Sequence, residues 1–175
     1  VEFPMSERTH PLDRLRCNEN IIRHKLRGHM SRGKSYRAGA IGRTGKGRYG
    51  HGLHLAYKEI DEVDLVAIAD PDDEGRAAAK EETGAKTDYA DYRDMLEKED
   101  LDIVSVCPRW VDCHLEMVLA CADAGCHIYC EKPIAMSLED ADRIVEATDR
   151  AGVKIVVAHQ GLYVPQVHEV KRRID

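Results

Sequence analysis

The stretch YRAGAIGRTGKGRYGHGLH, residues 36–54, decides the fold. A short apolar strand runs directly into a loop with glycines at 42, 45, 47, 50 and 52. Gly45-x-Gly47-x-x-Gly50 satisfies a GxGxxG spacing, or Gly42 is the first glycine of an enlarged loop. The physics is the same either way. Glycine tolerates positive φ in a tight turn, and its missing Cβ lets backbone N–H groups approach a pyrophosphate. GLHLAYKEI, residues 52–60, has apolar residues at helical spacing. A helix there would present free N–H groups and partial positive charge to the phosphates. Lys46 and Arg48 add positive charge. An isolated GxGxxG is weak, and a surface hairpin is the bland alternative. A strand before and a helix after are the context that favours phosphate binding.

Downstream the pattern alternates. VDLVAIAD (63–70), LDIVSVCP (101–108), HIYC (127–130) and VKIVVAHQ (153–160) are apolar strand runs. DDEGRAAAKEETGA (72–85), VDCHLEMVLACADAG (111–125) and SLEDADRIVEATDRAG (137–152) are helices ended by Gly84, Gly125 and Gly152. Ser137 with Asp140 three on resembles a capping box, and acids open the first of these helices. KTDYADYRDMLEKED (86–100) holds a brief extended piece and a helix, and the last ten residues read as helical. Continuous apolar strands alternating with helices predict an α/β fold: a doubly wound parallel sheet covered on both faces, with right-handed crossovers.

The 175 residues suit one domain. A net charge of −6 gives no reason to expect nucleic-acid binding. No run of eighteen apolar residues is present and no signal peptide opens the chain, so the expectation is a soluble, cytoplasmic protein without membrane contact. Residues 1–35 differ: eight Lys/Arg stand against four Asp/Glu, leaving −10 for the rest. They show no sustained apolar period and are expected to be a disordered extension before a domain at 36–175. Residues 1–29 read as sequence upstream of a natural start at Met30, with a basic arm for an acidic partner as the rival. Six cysteines stand at 17, 107, 113, 121, 126 and 130 without a CxxC pair. Their spacing does not fit paired zinc ligands, so no metal is expected and the thiols are expected reduced and mostly buried.

In such a fold, ligands sit outside the carboxyl ends of the strands. Asp70 ends the second strand about 20 residues after Gly50. A carboxylate there can accept from both hydroxyls of an adenosine ribose and would repel a 2′-phosphate, favouring NAD over NADP. Asp72 and Asp73 can start the following helix, which leaves Asp70 free for that role. Arg43 or Lys46 offers a route to a phosphate. Pro108, Arg109 and Trp110 follow a strand, and His114 lies one turn on. Glu131, Lys132 and Pro133 follow the next strand. A lysine at that edge can hydrogen-bond or protonate a substrate oxygen. A surface salt bridge is the plain alternative for the Glu-Lys pair. A methyltransferase binding S-adenosylmethionine shares the loop and the acid but gives no role to Glu-Lys-Pro.

AIGRTGKGRYGHGLH, VAIADPD, VSVCPRWVDCHLEM and CEKPIAMSLEDA, in that order, resemble the NAD(P)-binding Rossmann domain of the Gfo/Idh/MocA oxidoreductases over about four-fifths of the chain. The resemblance implies that Gly42, Thr44, Gly45, Lys46, Gly47 and Tyr49 meet the pyrophosphate and Asp70 the ribose. It implies that Pro108, Arg109, Trp110 and His114 flank the cofactor. Glu131 and Lys132 would lie at the nicotinamide end, Lys132 as the catalytic residue, with a Lys132–Pro133 bond often cis in the family. Family members carry a second, C-terminal α/β substrate domain that usually supplies the base, and that domain is expected to lie outside these 175 residues. The implied enzyme moves a hydride between nicotinamide and a hydroxyl-bearing carbon of a sugar, polyol or similar small molecule. Its full-length form is expected to be a homo-oligomer and this fragment alone inactive. One departure is HQGLYVP (159–165), with Leu162 where the family often has Arg. The alternative is a non-catalytic dinucleotide-binding or interaction module that lacks a substrate domain.

Overall fold

The computed structural model describes residues 35–159, 161 and 164–174. The expectations for the extension, the Met30 start and Leu162 lie outside these. Six strands form one all-parallel sheet: β1 (Tyr36–Ile41), β2 (Val63–Ala69), β3 (Thr87–Tyr89), β4 (Ile103–Val106), β5 (His127–Cys130) and β6 (Ile155–Val157). The order is β3-β2-β1-β4-β5-β6, so the direction of winding reverses between β1 and β4. That reversal opens a crevice at the carboxyl edge of the sheet.

The strands are apolar on both sides because both faces are covered. On one face Ile41, Val104 and Val106 pack with Met95, Met117, Val118 and Ile144 from α2 (Tyr92–Lys98), α3 (His114–Asp123) and α4 (Leu138–Ala151). On the other, Ala40, Ile68 and Cys107 pack with Tyr49, Leu53 and Ala79, the last from α1 (Asp73–Thr83). Asp72 caps α1 by accepting from the Gly75 amide at 2.7 Å, and Ser137 caps α4 by accepting from Asp140 at 3.1 Å. Gly84 and Gly152 end these helices at φ 74° and 68°. α5 spans Pro165–Ile174. Cys107, Cys113, Cys121, Cys126 and Cys130 are free and buried. Burial pushes the Cys130 thiol up to about 12, so it stays protonated and unreactive.

The expected helix after the glycine loop is not an α-helix. Leu53–Leu55 forms one 3₁₀ turn, and Ala56 to Glu59 continues as turns. The backbone bonds run i to i+3: Leu55 to Gly52, Ala56 to Leu53, Lys58 to Leu55 and Ile60 to Tyr57. Gly50 and Gly52 at φ 63° and 83° break helical geometry at its start, and no side chain caps it. Leu53 and Tyr57 are nevertheless buried against the sheet. The apolar spacing was satisfied by packing without a full helix. No α-helix N-terminus therefore stands behind the glycine loop to meet a phosphate.

Candidate functional site at the carboxyl edge of the sheet

Register puts the candidate residues at one level. Ile41 pairs with Ala69 and with Val106, and Val106 pairs with Cys130. The next residues, Gly42, Asp70, Cys107 and Glu131, therefore emerge side by side from β1, β2, β4 and β5.

Asp70 is buried and already occupied. Its carboxylate accepts from the Thr44 amide at 3.0 Å, the Thr44 hydroxyl at 3.0 Å and the Asp72 amide at 3.0 Å. Asp72 does start the helix, yet that does not leave Asp70 free, because the glycine loop folds back onto it. Arg43 and Arg48 exchange backbone bonds at 3.1 Å, closing the loop as a small hairpin. Thr44 lies over Gly75, where a Cβ would come within 1.9 Å of the Thr44 hydroxyl. Ribose hydroxyls reaching Asp70 would take the place of Thr44's donors.

The other loop residues divide into packed and open. Tyr49 is buried, its ring against Gly42 and its hydroxyl donating to the Ala69 carbonyl at 3.5 Å. Burial, with Asp70 adding to it, raises its phenol far above the ordinary value. Tyr49 thus supports the loop from beneath. Gly45, at φ 85°, has open space around its Cβ position, and Gly47 lies against the Arg109 backbone. Lys46 pairs with Asp112 and lies 5.1 Å from the centre of the Trp110 ring. Its hydrogen bond holds the Asp112 carboxyl below the ordinary range.

Glu131 is fully buried, and Lys132 beside it is exposed. One carboxylate oxygen accepts from the His51 amide at 3.0 Å and from His51 Nδ1 at 2.8 Å. The other accepts from the Lys132 amide at 2.9 Å. The pair is therefore no surface salt bridge: the two charges part, the carboxylate inward and the ammonium outward. The Lys132–Pro133 bond is cis. Burial pushes the Glu131 carboxyl up, but the donors from His51 and Lys132 outweigh it and hold it below its ordinary 4.5. A depressed folded value means stability that is present above pH 4.5 and lost as pH falls through the folded value. Glu131→Gln should flatten this part of the acid-unfolding curve followed by circular dichroism. An unchanged acid limb would remove Glu131 from the balance.

His114 is also fully buried. Its Nε2 is 2.7 Å from the Pro108 carbonyl and its Nδ1 2.8 Å from the Pro133 carbonyl. It ties the loop after β4 to the loop after β5, and no nitrogen is left for a ligand. Pro108 supplies its carbonyl to that tie, while Arg109 and Trp110 are exposed just past the carboxyl end of β4.

Beside β1 and β2 lies a cleft of about 190 Å³ lined by Gly42, Arg43, Asp70, Pro71, Tyr92 and Arg93. The Tyr92 hydroxyl is buried without a hydrogen-bond partner among the described residues. Sequence reasoning missed Tyr92 and His51. No local pattern marks either: His51 meets Glu131 across 80 residues. Among the described residues no cluster of His, Cys, Asp or Glu could hold a metal ion, and no helix is long and apolar enough to cross a membrane.

A family model described as "Oxidoreductase family, NAD-binding Rossmann fold" matches residues 37–159. The myo-inositol 2-dehydrogenase of Thermotoga maritima is 39% identical over 115 residues, which is 65% of this chain and 34% of that protein. The D-apiose dehydrogenase of Paraburkholderia graminis is 35% identical over 122 residues, 70% of this chain and 32% of that protein. Among solved structures, the WlbA dehydrogenase of Bordetella pertussis in complex with NADH and UDP-GlcNAcA superposes with a TM-score of 0.67 at 29% identity. That match covers 80% of this chain and 42% of that one. The chain spans about a third of the length of the first two relatives.

Proposed function

The chain belongs to the Gfo/Idh/MocA oxidoreductase family and carries its NAD-binding Rossmann domain; on that premise we propose that it serves a dehydrogenase acting on a hydroxyl-bearing carbon of a sugar or polyol. The observation that carries this is the parting of Glu131 and Lys132. A buried carboxylate anchors the loop, and an exposed ammonium with no hydrogen-bond or ion-pair partner among the described residues stands just past the carboxyl end of β5. The names of the relatives, which act on inositol and apiose, supply the substrate class.

The residues present fit a dinucleotide. The cleft beside Asp70 has the position expected for the adenosine half, with the Tyr92 hydroxyl as an unmet donor near it. Open backbone at Gly45 and the cations of the loop suit the diphosphate. NAD, when bound, accepts or returns a hydride at its nicotinamide. Lys132 hydrogen-bonds the oxygen on the reacting carbon and stabilises the charge it gains as its proton leaves. The base comes from a second domain of the family type. Asp70 accepts from the ribose and, as an anion, disfavours a 2′-phosphate, so the cofactor is NAD in preference to NADP.

Titration of the chain with NADH, NADPH and S-adenosylmethionine by calorimetry tests this. NADH should bind at least tenfold tighter than NADPH, a difference of about 1.4 kcal/mol, and S-adenosylmethionine should not bind. Asp70→Asn should narrow the NADH preference; Asn is better than Ala here because it still accepts from Thr44. Binding of S-adenosylmethionine alone would overturn the assignment. An NADH preference untouched by Asp70→Asn would remove Asp70 from the cofactor site.

A further inference from the structure

Glu131, His51 and Arg109 are joined in one line. The Glu131 carboxylate can only accept, so the hydrogen of the 2.8 Å contact sits on His51 Nδ1. In the neutral ring, Nε2 then carries a lone pair. That nitrogen lies 3.1 Å from Arg109 Nη2, which can only donate. The opposite tautomer would set N–H against N–H at Arg109 and a lone pair against the carboxylate. One arrangement of hydrogens satisfies all three groups.

The line ends at the glycine loop. A Cβ on Gly47 would come within 2.4 Å of Arg109 Cβ and 2.9 Å of its amide, so the arginine backbone sits directly on the loop. The next residue, Trp110, donates its amide to the Lys46 carbonyl at 3.4 Å. Arg109 is exposed, and among the described residues its guanidinium has no hydrogen-bond partner besides His51. A guanidinium has five N–H donors in a planar fork that matches phosphate oxygens. Lys46, by contrast, is already engaged by Asp112 and Trp110. An anchored arginine also loses less rotamer freedom when it binds.

We propose that Glu131 and His51 are positioning residues that aim the Arg109 guanidinium at the diphosphate of the bound dinucleotide. This rests on the dinucleotide assignment above and adds to it a route by which the Glu of Glu-Lys-Pro acts on the phosphates, through His51. Glu131 sets the tautomer, His51 Nε2 holds one edge of Arg109, and the free edge meets the anion.

The test is a double-mutant cycle on the chain, with NADH and ADP-ribose as probes; both carry the diphosphate and only one the nicotinamide. Arg109→Ala should weaken both by roughly tenfold. His51→Phe keeps a ring of similar bulk and should weaken both by roughly threefold, with an unchanged circular dichroism spectrum. The doubly substituted chain should match Arg109→Ala, since His51 acts only through Arg109. Long-range ¹⁵N–¹H spectra of the ligand-free chain should show His51 protonated at Nδ1, and Glu131→Gln should abolish that single-tautomer pattern. Multiplying losses in the cycle, an Nε2–H ring, or NADH binding indifferent to Arg109 would each overturn the inference while leaving the dinucleotide assignment intact. Failure of both probes to bind the unaltered chain would overturn the two together.

Discussion

Gly50→Ala should lower the melting temperature of the chain by roughly 10 °C, from about 3 kcal/mol of lost stability. Two costs combine. Gly50 sits at φ 63°, where an L side chain is strained. Its Cβ would also come within 2.3 Å of the Cys107 carbonyl oxygen and 2.5 Å of a Glu131 carboxylate oxygen. Neither can yield cheaply: the first is backbone at the end of β4, the second is fixed by His51 and Lys132. Gly45→Ala is the control. Its φ of 85° carries the strain alone, with nothing within 4 Å of the added methyl, so a cost of about 1–2 kcal/mol is expected. Equal melting temperatures for the two variants would show that close approach to Glu131 is not what requires glycine at 50.

The larger functional effect is expected at Lys132. In a protein joining this domain to a substrate domain of the family type, Lys132→Met should lower kcat by roughly 100- to 10,000-fold, the range for removing a positioned proton donor. The affinity for NADH should stay within about threefold, because the lysine acts on the substrate oxygen and its amide, which holds Glu131, is untouched. Lys132→Arg should rescue only part of the rate, since a planar fork does not replace a compact ammonium. Steady-state rates on an inositol or sugar substrate, set beside NADH titrations, separate the two quantities. A fall in kcat below about fivefold would place Lys132 outside the chemistry.

Local patterns carried much of this. Each of the apolar runs read as strands between 36 and 157 lies on a parallel strand, and Ser137, Gly84 and Gly152 bound their helices as capping logic requires. These features are legible because they depend on neighbours a few residues away and on burial of both sheet faces. The exception, residues 52–60, has helical spacing but glycines at its start that the spacing does not weigh. Loop and strand-end residues were legible as a set and not in their individual tasks. Asp70, read as free, is held by Thr44 across 26 residues. Tyr49 and His114, read as facing a cofactor, turn inward.

The sequence alone determined that this chain winds a parallel sheet and that Gly42, Asp70, Cys107 and Glu131 follow its strands. Only the tertiary structure decided which side chains at that edge are spent on one another and which face the crevice. Parallel pairing joins segments far apart in the chain, so a buried carboxylate such as Glu131 finds its donors on His51, a residue no local pattern connects to it. Because a buried charge must be satisfied, that distant partner fixes the direction of Glu131 and leaves Lys132 pointing outward.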